Sequence, residues 1–171
     1  METALEEKAR KFAEQAHSRL SQVRKYTGEP YITHPAAVVA IVRTVEHTDA
    51  MIAAAWLHDT VEDTDASLEE IEAEFGAEVA ALVEQLTDVS KLPDGNRKAR
   101  KAIDLAHTAK ASTEAQTIKL ADLIDNTRNI VERDPEFAKV YFKEKELLLE
   151  VLTEGDLALW KVAKGIASRR G

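Results

Sequence analysis

Met51-Ile52-Ala53-Ala54-Ala55-Trp56-Leu57-His58-Asp59-Thr60-Val61-Glu62-Asp63 passes from almost wholly apolar to mostly ionisable within thirteen residues. The apolar half predicts a central helix packed on most sides. At 3.6 residues per turn, positions four apart differ by only about 40° around the axis. Continued helix would therefore set His58 near Glu62 and Asp59 near Asp63. Three crowded carboxylates repel one another unless a cation or raised pKa values relieve them. A divalent metal removes that cost and also acidifies water near neutral pH. The bland reading is a solvated helix terminus. Acids are favoured at a helix N-terminus, however, and these follow the apolar helix at its C-terminal end, which favours function.

Outward from this stretch the pattern is helical throughout, with no convincing run of alternating β-branched residues. Leu5, Ala9, Phe12, Ala16 and Leu20 give an amphipathic helix over residues 3–20. A second helix is expected to begin near Pro35, carrying Val38, Val39, Ile41, Val42 and Val45. Ser67 and Glu70 form a capping-box pattern, and Gly76 ends that short helix. Further helices are expected over 77–90, 97–110, 114–132, 136–153 and 157–168, the penultimate one opened by Asp134-Pro135. There is no internal repeat and no linker. The expectation is one all-α domain over residues 1–171.

Composition bounds the chemistry. The chain has no cysteine, which excludes disulfides, thiolate zinc sites and cysteine nucleophiles, and a reducing cytoplasm is the expected compartment. No apolar run approaches the roughly 20 residues that cross a bilayer. With 23 basic against 31 acidic residues the net charge is −8, which argues against nucleic acid as a partner. A small phosphorylated ligand is still compatible, because a basic pocket can sit on an acidic protein.

Two other segments carry polar side chains at suggestive spacing. Lys119, Asp122, Asn126 and Asn129 recur every three or four residues and share one helical stripe, beside an apolar face of Ile118, Ala121, Ile124 and Val131. Asparagines in mid-helix carry a propensity cost, yet suit the reading of sugar hydroxyls or phosphates. Upstream, Arg24-Lys25 precedes a turn, and His34 follows in Pro30-Tyr31-Ile32-Thr33-His34-Pro35. Two adjacent cations suit a phosphate, though alone an Arg-Lys pair means nothing. Arg97-Lys98-Ala99-Arg100-Lys101 is either a phosphate clamp or, as such runs usually are, a solvated face. His17 is expected to brace the core, His47 to lie on the surface, and Trp56, Phe75 and Tyr141 to be core.

Taken together, QVRKYTGEPYITHP, AAWLHDTVEDT and IKLADLIDN resemble the hydrolase domain of RelA/SpoT homologues, closest in size the small alarmone hydrolases of the metazoan SpoT homologue type. The similarity runs from about residue 9 to residue 150. It implies a single HD-domain helical bundle holding one divalent metal, typically manganese, on His34, His58, Asp59 and Asp122. Glu62 and Asp63 fall on the catalytic pair of hydrolase-competent members. Arg24 and Lys25 match the nucleotide-contacting basic pair and Asn126 the ribose contact, with Lys119 and Asn129 nearby. Many relatives read His-Asn where this chain has Asp125-Asn126, and threonine where Asn129 stands; both departures are expected near the nucleotide pocket and clear of the metal set.

The activity this implies is hydrolysis of the 3′-pyrophosphate of guanosine tetra- or pentaphosphate to GDP or GTP and pyrophosphate. The chain ends before a synthetase domain begins, so a hydrolase alone is expected. Another nucleotide substrate, such as the 2′-phosphate of NADPH, is the alternative within the same machinery. A non-catalytic alarmone-binding regulator is the alternative from another class. Oligomeric state, including a homo-oligomer, is left open by the sequence.

Overall fold

The run from Met51 to Leu57 becomes the buried helix on which the others are stacked; every residue from Ala50 to His58 is buried. The computed structural model describes residues 1–168. In chain order the α-helices are α1 (Ala4–Arg19), α2 (Thr33–Val42), α3 (Asp49–Leu57), α4 (Thr60–Asp63), α5 (Leu68–Phe75), α6 (Ala77–Leu86), α7 (Arg97–Ala109), α8 (Thr113–Arg133), α9 (Pro135–Val151) and α10 (Leu157–Ser168). A 3₁₀ turn at Leu92–Asp94 joins α6 to α7. Among the described residues the only extended pairing is an isolated bridge between Val23 and Pro30. The expected all-α bundle is what forms.

Local chemistry starts these helices where the sequence signals lie. Thr3, Thr48, Asn96, Ser112 and Asp134 each accept a backbone N–H of the following turn, and Ser67 with Glu70 completes a reciprocal capping box. Pro135 occupies the first turn of α9, where its missing N–H costs nothing. Helices α1, α2 and α6 cover α3, while α8 packs against α2, α6, α9 and α10. Burying these apolar faces is the main favourable term.

The helix around Val38 begins at Thr33, which puts Pro35 in its first turn as expected. Four expectations need correction. The helix after Gly76 stops at Leu86, and Leu20 lies beyond α1, half-exposed. Val131 is 37% exposed, whereas Leu120, Leu123 and Ile130 join Ile118, Ala121 and Ile124 in the core. So α8 is a central helix surrounded by neighbours, not a helix with one wet side. Lastly, the helix does not continue through the His-Asp pair. His58 caps α3, Asp59 sits in a turn at φ −102° and ψ −2°, and Glu62 and Asp63 belong to the one-turn helix α4. The charged residues therefore do not all sit at an unfavourable C-terminus.

An acidic residue in the core had no signal in the sequence. Glu6 is 3% exposed, accepts from the Trp56 indole N–H at 3.2 Å and pairs with Arg43, which ties α1 to α3. Gly155, in the α9–α10 connection, touches α8 closely. A Cβ there would meet Leu120 Cδ1 at 2.8 Å and the Gln116 carbonyl carbon at 3.1 Å. Gly155→Ala is expected to destabilise by about 1–3 kcal/mol through overpacking. Thermal unfolding should show a fall of roughly 2–4 °C per kcal/mol; an unchanged melting temperature would mean that α8 yields freely at this point.

Candidate metal centre

Four elements meet at one spot. His34 stands in the first turn of α2, His58 at the end of α3, Asp59 just before α4 and Asp122 midway along α8. One ligand atom from each lies within 4.8 Å of all the others. His34 Nε2 is 2.9 Å from Asp122 Oδ1 and 3.5 Å from Asp59 Oδ2. His58 Nε2 is 3.1 Å from Asp59 Oδ2 and 3.4 Å from Asp122 Oδ1. The two imidazoles are 2% and 3% exposed.

The electrostatics ask for positive charge at the centre. Burial by itself would keep both imidazoles neutral, yet hydrogen bonds to Asp122 and Asp125 carry His34 up to about 9. His58 is also raised well above the ordinary histidine range, by Asp59 and Asp122 against its burial. Burial would raise Asp59 too, but His58 brings it down to about 2, and Lys119 with the two imidazoles lowers Asp122. Protons on the two imidazoles supply that charge here, and a divalent ion that displaced them would supply it between the same two carboxylates.

The donor set fits a divalent ion. His58 Nδ1–H donates to the Ala55 carbonyl at 2.7 Å, which leaves Nε2 as the ligand nitrogen. That Nε2 is buried and meets no neighbour in hydrogen-bond geometry. Two imidazoles and two carboxylates suit a hard-to-borderline ion such as manganese.

Glu62 and Asp63 form the rim. With Asp59 they bring three carboxylates within 4.8 Å of one another. Both are open to water at the mouth of the site. Partial desolvation and then Asp88 push Glu62 up to about 7, while partial desolvation and then Asp59 push Asp63 up to about 6. Glu62 accepts the Asp88 backbone N–H at 2.7 Å, so its position is held from the α6–α7 connection.

A cleft opens beside His34, lined by Arg24, Lys25, Tyr26, Tyr31, Asn126 and Asn129. The turn that presents Arg24 and Lys25 is closed by Gly28 N–H donating to the Arg24 carbonyl at 2.9 Å; Gly28 has φ +70°, which glycine adopts without strain. Lys25 is exposed, its ammonium 5.1 Å from the Tyr26 ring and 5.5 Å from the Phe137 ring. Asn126 Nδ2 donates to Asp122 Oδ1 at 3.0 Å, Asn129 Nδ2 to the Asp125 carbonyl at 2.9 Å, and Lys119 to Asp122 Oδ2 at 3.3 Å. The structure thus brings every predicted site residue to this cluster or its borders. Arg24 is paired as well: its guanidinium donates to Asp125 at 2.7 Å.

Three neighbours were given no role in the site by the sequence. The Tyr31 hydroxyl donates to Asp59 Oδ2 at 2.6 Å. Asp125, expected near the nucleotide pocket and clear of the metal set, instead holds both Arg24 and His34, and its spacing of three from Asp122 was the available signal. Lys145 packs over the Tyr141 ring at 4.7 Å, its pKa lowered to about 8 by burial and by Lys119. His17 braces the site as expected, bonded to Gln22 at 2.7 Å and resting against Tyr31. In the basic run Arg97 is spent on Glu144 at 2.9 Å, and Lys98 and Lys101 face solvent.

Residues 9–148 match a domain family described as HD domain. A probable guanosine-3′,5′-bis(diphosphate) 3′-pyrophosphohydrolase of Synechocystis is 37% identical over 149 residues, 85% of this chain and 20% of that protein. The guanosine-3′,5′-bis(diphosphate) 3′-pyrophosphohydrolase of Mus musculus is 42% identical over 121 residues, 67% of this chain and 64% of that one. The chain thus spans a fifth of the first relative's length and just under two thirds of the second's. A solved metazoan SpoT ortholog, described as hydrolysing ppGpp, superposes with a TM-score of 0.87 at 31% identity, covering 99% of this chain and 97% of that one. No helix among the described residues is long and apolar enough to cross a membrane.

Proposed function

The chain belongs to the HD-domain family, and on that premise we propose that it hydrolyses the 3′-pyrophosphate of guanosine tetra- or pentaphosphate, yielding GDP or GTP and pyrophosphate. The observation that carries this is the convergence of His34, His58, Asp59 and Asp122 on one buried point, beside a cleft with cations, aromatic rings and amides. These four would hold one divalent ion, manganese in this reading, which when bound acidifies water and polarises a phosphoryl oxygen. Glu62 and Asp63 orient the attacking water and take up its proton; carboxyls near 7 and 6 suit transfer at neutral pH. The water oxygen bonds to the phosphorus attached to the 3′ oxygen, the bond between those two atoms breaks, and the proton taken up from water by the Glu62–Asp63 pair is passed to the leaving 3′ oxygen. Lys25 and Lys119 offset phosphate charge, Arg24 borders the same cleft, and Asn126 and Asn129 supply amides for the sugar. The similar relatives named for this reaction support the substrate, and the absence of cysteine suits a cytoplasmic setting.

Purified protein supplied with manganese should convert guanosine tetraphosphate to GDP and pyrophosphate, and a chelator should stop it. Release of orthophosphate from NADPH, with guanosine tetraphosphate untouched, would overturn the substrate. Stoichiometric nucleotide binding without turnover would make the chain a regulator instead.

A further inference from the structure

Asp125 stands between the nucleotide cleft and the metal centre, and it faces both. A single carboxylate oxygen, Oδ2, accepts from His34 Nδ1 at 2.6 Å and from Arg24 Nη2 at 2.7 Å. The side chains of Asp125 and Arg24 are only 13% and 12% exposed. Behind them, the Asn129 amide donates to the Asp125 backbone carbonyl at 2.9 Å.

Resting on the reading above, we infer that Asp125 is a positioning residue for the metal ligand His34, and that Arg24 serves as its counter-ion in addition to bordering the cleft. The chemistry is that of a carboxylate behind a ligating imidazole. A carboxylate has no proton to give, so the proton shared with Asp125 stays on His34 Nδ1; a cation that displaces the other proton, shared by Nε2 and Asp122 at 2.9 Å, would meet a lone pair already directed at the centre. The ring is fixed as well as the tautomer, since rotation about its axis would break the 2.6 Å bond. Arg24 completes the chain: it gives the poorly solvated Asp125 carboxylate a fixed positive charge, which an imidazole bound to a metal would not supply. The assignment divides the basic pair. Arg24 reaches a phosphate only in competition with Asp125, whereas Lys25 has rings but no carboxylate within ion-pair distance among the described residues. Lys25 is therefore the cation free to grip a phosphate.

Manganese affinity, read by competition with a fluorescent chelator and independent of turnover, tests this with Asp125→Ala, Asp125→Asn and Arg24→Met. Loss of an outer partner of this kind weakens metal binding by about 10–100-fold, the expectation for Asp125→Ala. Asp125→Asn keeps an acceptor for His34 but turns an amide toward Arg24, and should fall between that variant and wild type. Arg24→Met should weaken manganese binding several-fold, an effect a pure phosphate contact would not have. Affinity within twofold of wild type in folded Asp125→Ala overturns the positioning role; should that variant fail to fold, the same result in Asp125→Asn does so. Unchanged manganese affinity in Arg24→Met overturns the counter-ion role. If wild-type protein itself binds no manganese, the proposed function fails; equal binding by wild type and all variants sinks this inference alone.

Discussion

Asp59→Ala is expected to lower the rate of guanosine tetraphosphate hydrolysis in manganese by about 10³-fold, the upper end of what loss of one preorganised electrostatic group costs. Asp59 is the group on which the centre closes. Its Oδ2 lies 3.1 Å from His58 Nε2, 3.5 Å from His34 Nε2 and 2.6 Å from the Tyr31 hydroxyl. Removing it leaves Asp122 as the sole carboxylate facing two imidazoles, and a divalent ion loses both a ligand and a unit of compensating charge. The fold should persist, because Asp59 occupies a turn between α3 and α4 and contributes nothing to the apolar core. Asp59→Asn, which preserves shape and an acceptor oxygen, guards against the objection of local collapse. The measurements are pyrophosphate release, manganese affinity and the helical circular dichroism signal. Hydrolysis within tenfold of wild type, in a folded variant, would remove Asp59 from the ligand set and with it the basis of the enzymatic reading.

What could be read in the sequence depended on how local the signal was. The apolar-to-ionised transition from Met51 to Asp63 is contiguous, so both the buried helix and the His-Asp pair were visible at once. The helix starts were equally legible, since capping by Ser67, Asn96 or Asp134 is decided within one turn. His34 was different: a histidine before proline carries no intrinsic message, and only the resemblance singled it out. The break after His58 was missed because nothing in Asp59-Thr60 excludes helix by propensity; the turn is imposed by where Asp59 and Glu62 find partners. Glu6 in the core and Asp125 between Arg24 and His34 are long-range facts, with partners 37 to 101 residues away. No window along the chain contains both members of such a pair. The resemblance, too, offered no role for Asp125 to carry over.

Glu62→Gln separates the catalytic use of the rim from its cost to the fold. Turnover should drop by about 10²–10⁴-fold, the contribution of a positioned general base. The amide cannot take a proton from water, although its carbonyl still accepts the Asp88 N–H that holds the side chain in place. Stability should move the other way. Partial desolvation and Asp88 raise the Glu62 pKa to about 7 from an ordinary value of 4.5, so the folded protein binds the proton more tightly than the unfolded chain does. The metal-free protein then loses stability as pH rises from 4.5 to 7, and the penalty is complete above 7. Glutamine carries no charge at any pH and escapes it. Metal-free Glu62→Gln should therefore melt slightly above wild type at pH 8, with the difference vanishing by pH 4.5, and water at the rim keeps the gain small. Bound cation should narrow the gap at pH 8 by relieving the same repulsion among Asp59, Glu62 and Asp63. A variant that loses turnover and also melts lower at pH 8 would show Glu62 to be a structural tie to the α6–α7 connection, and proton transfer would then fall to Asp63 alone.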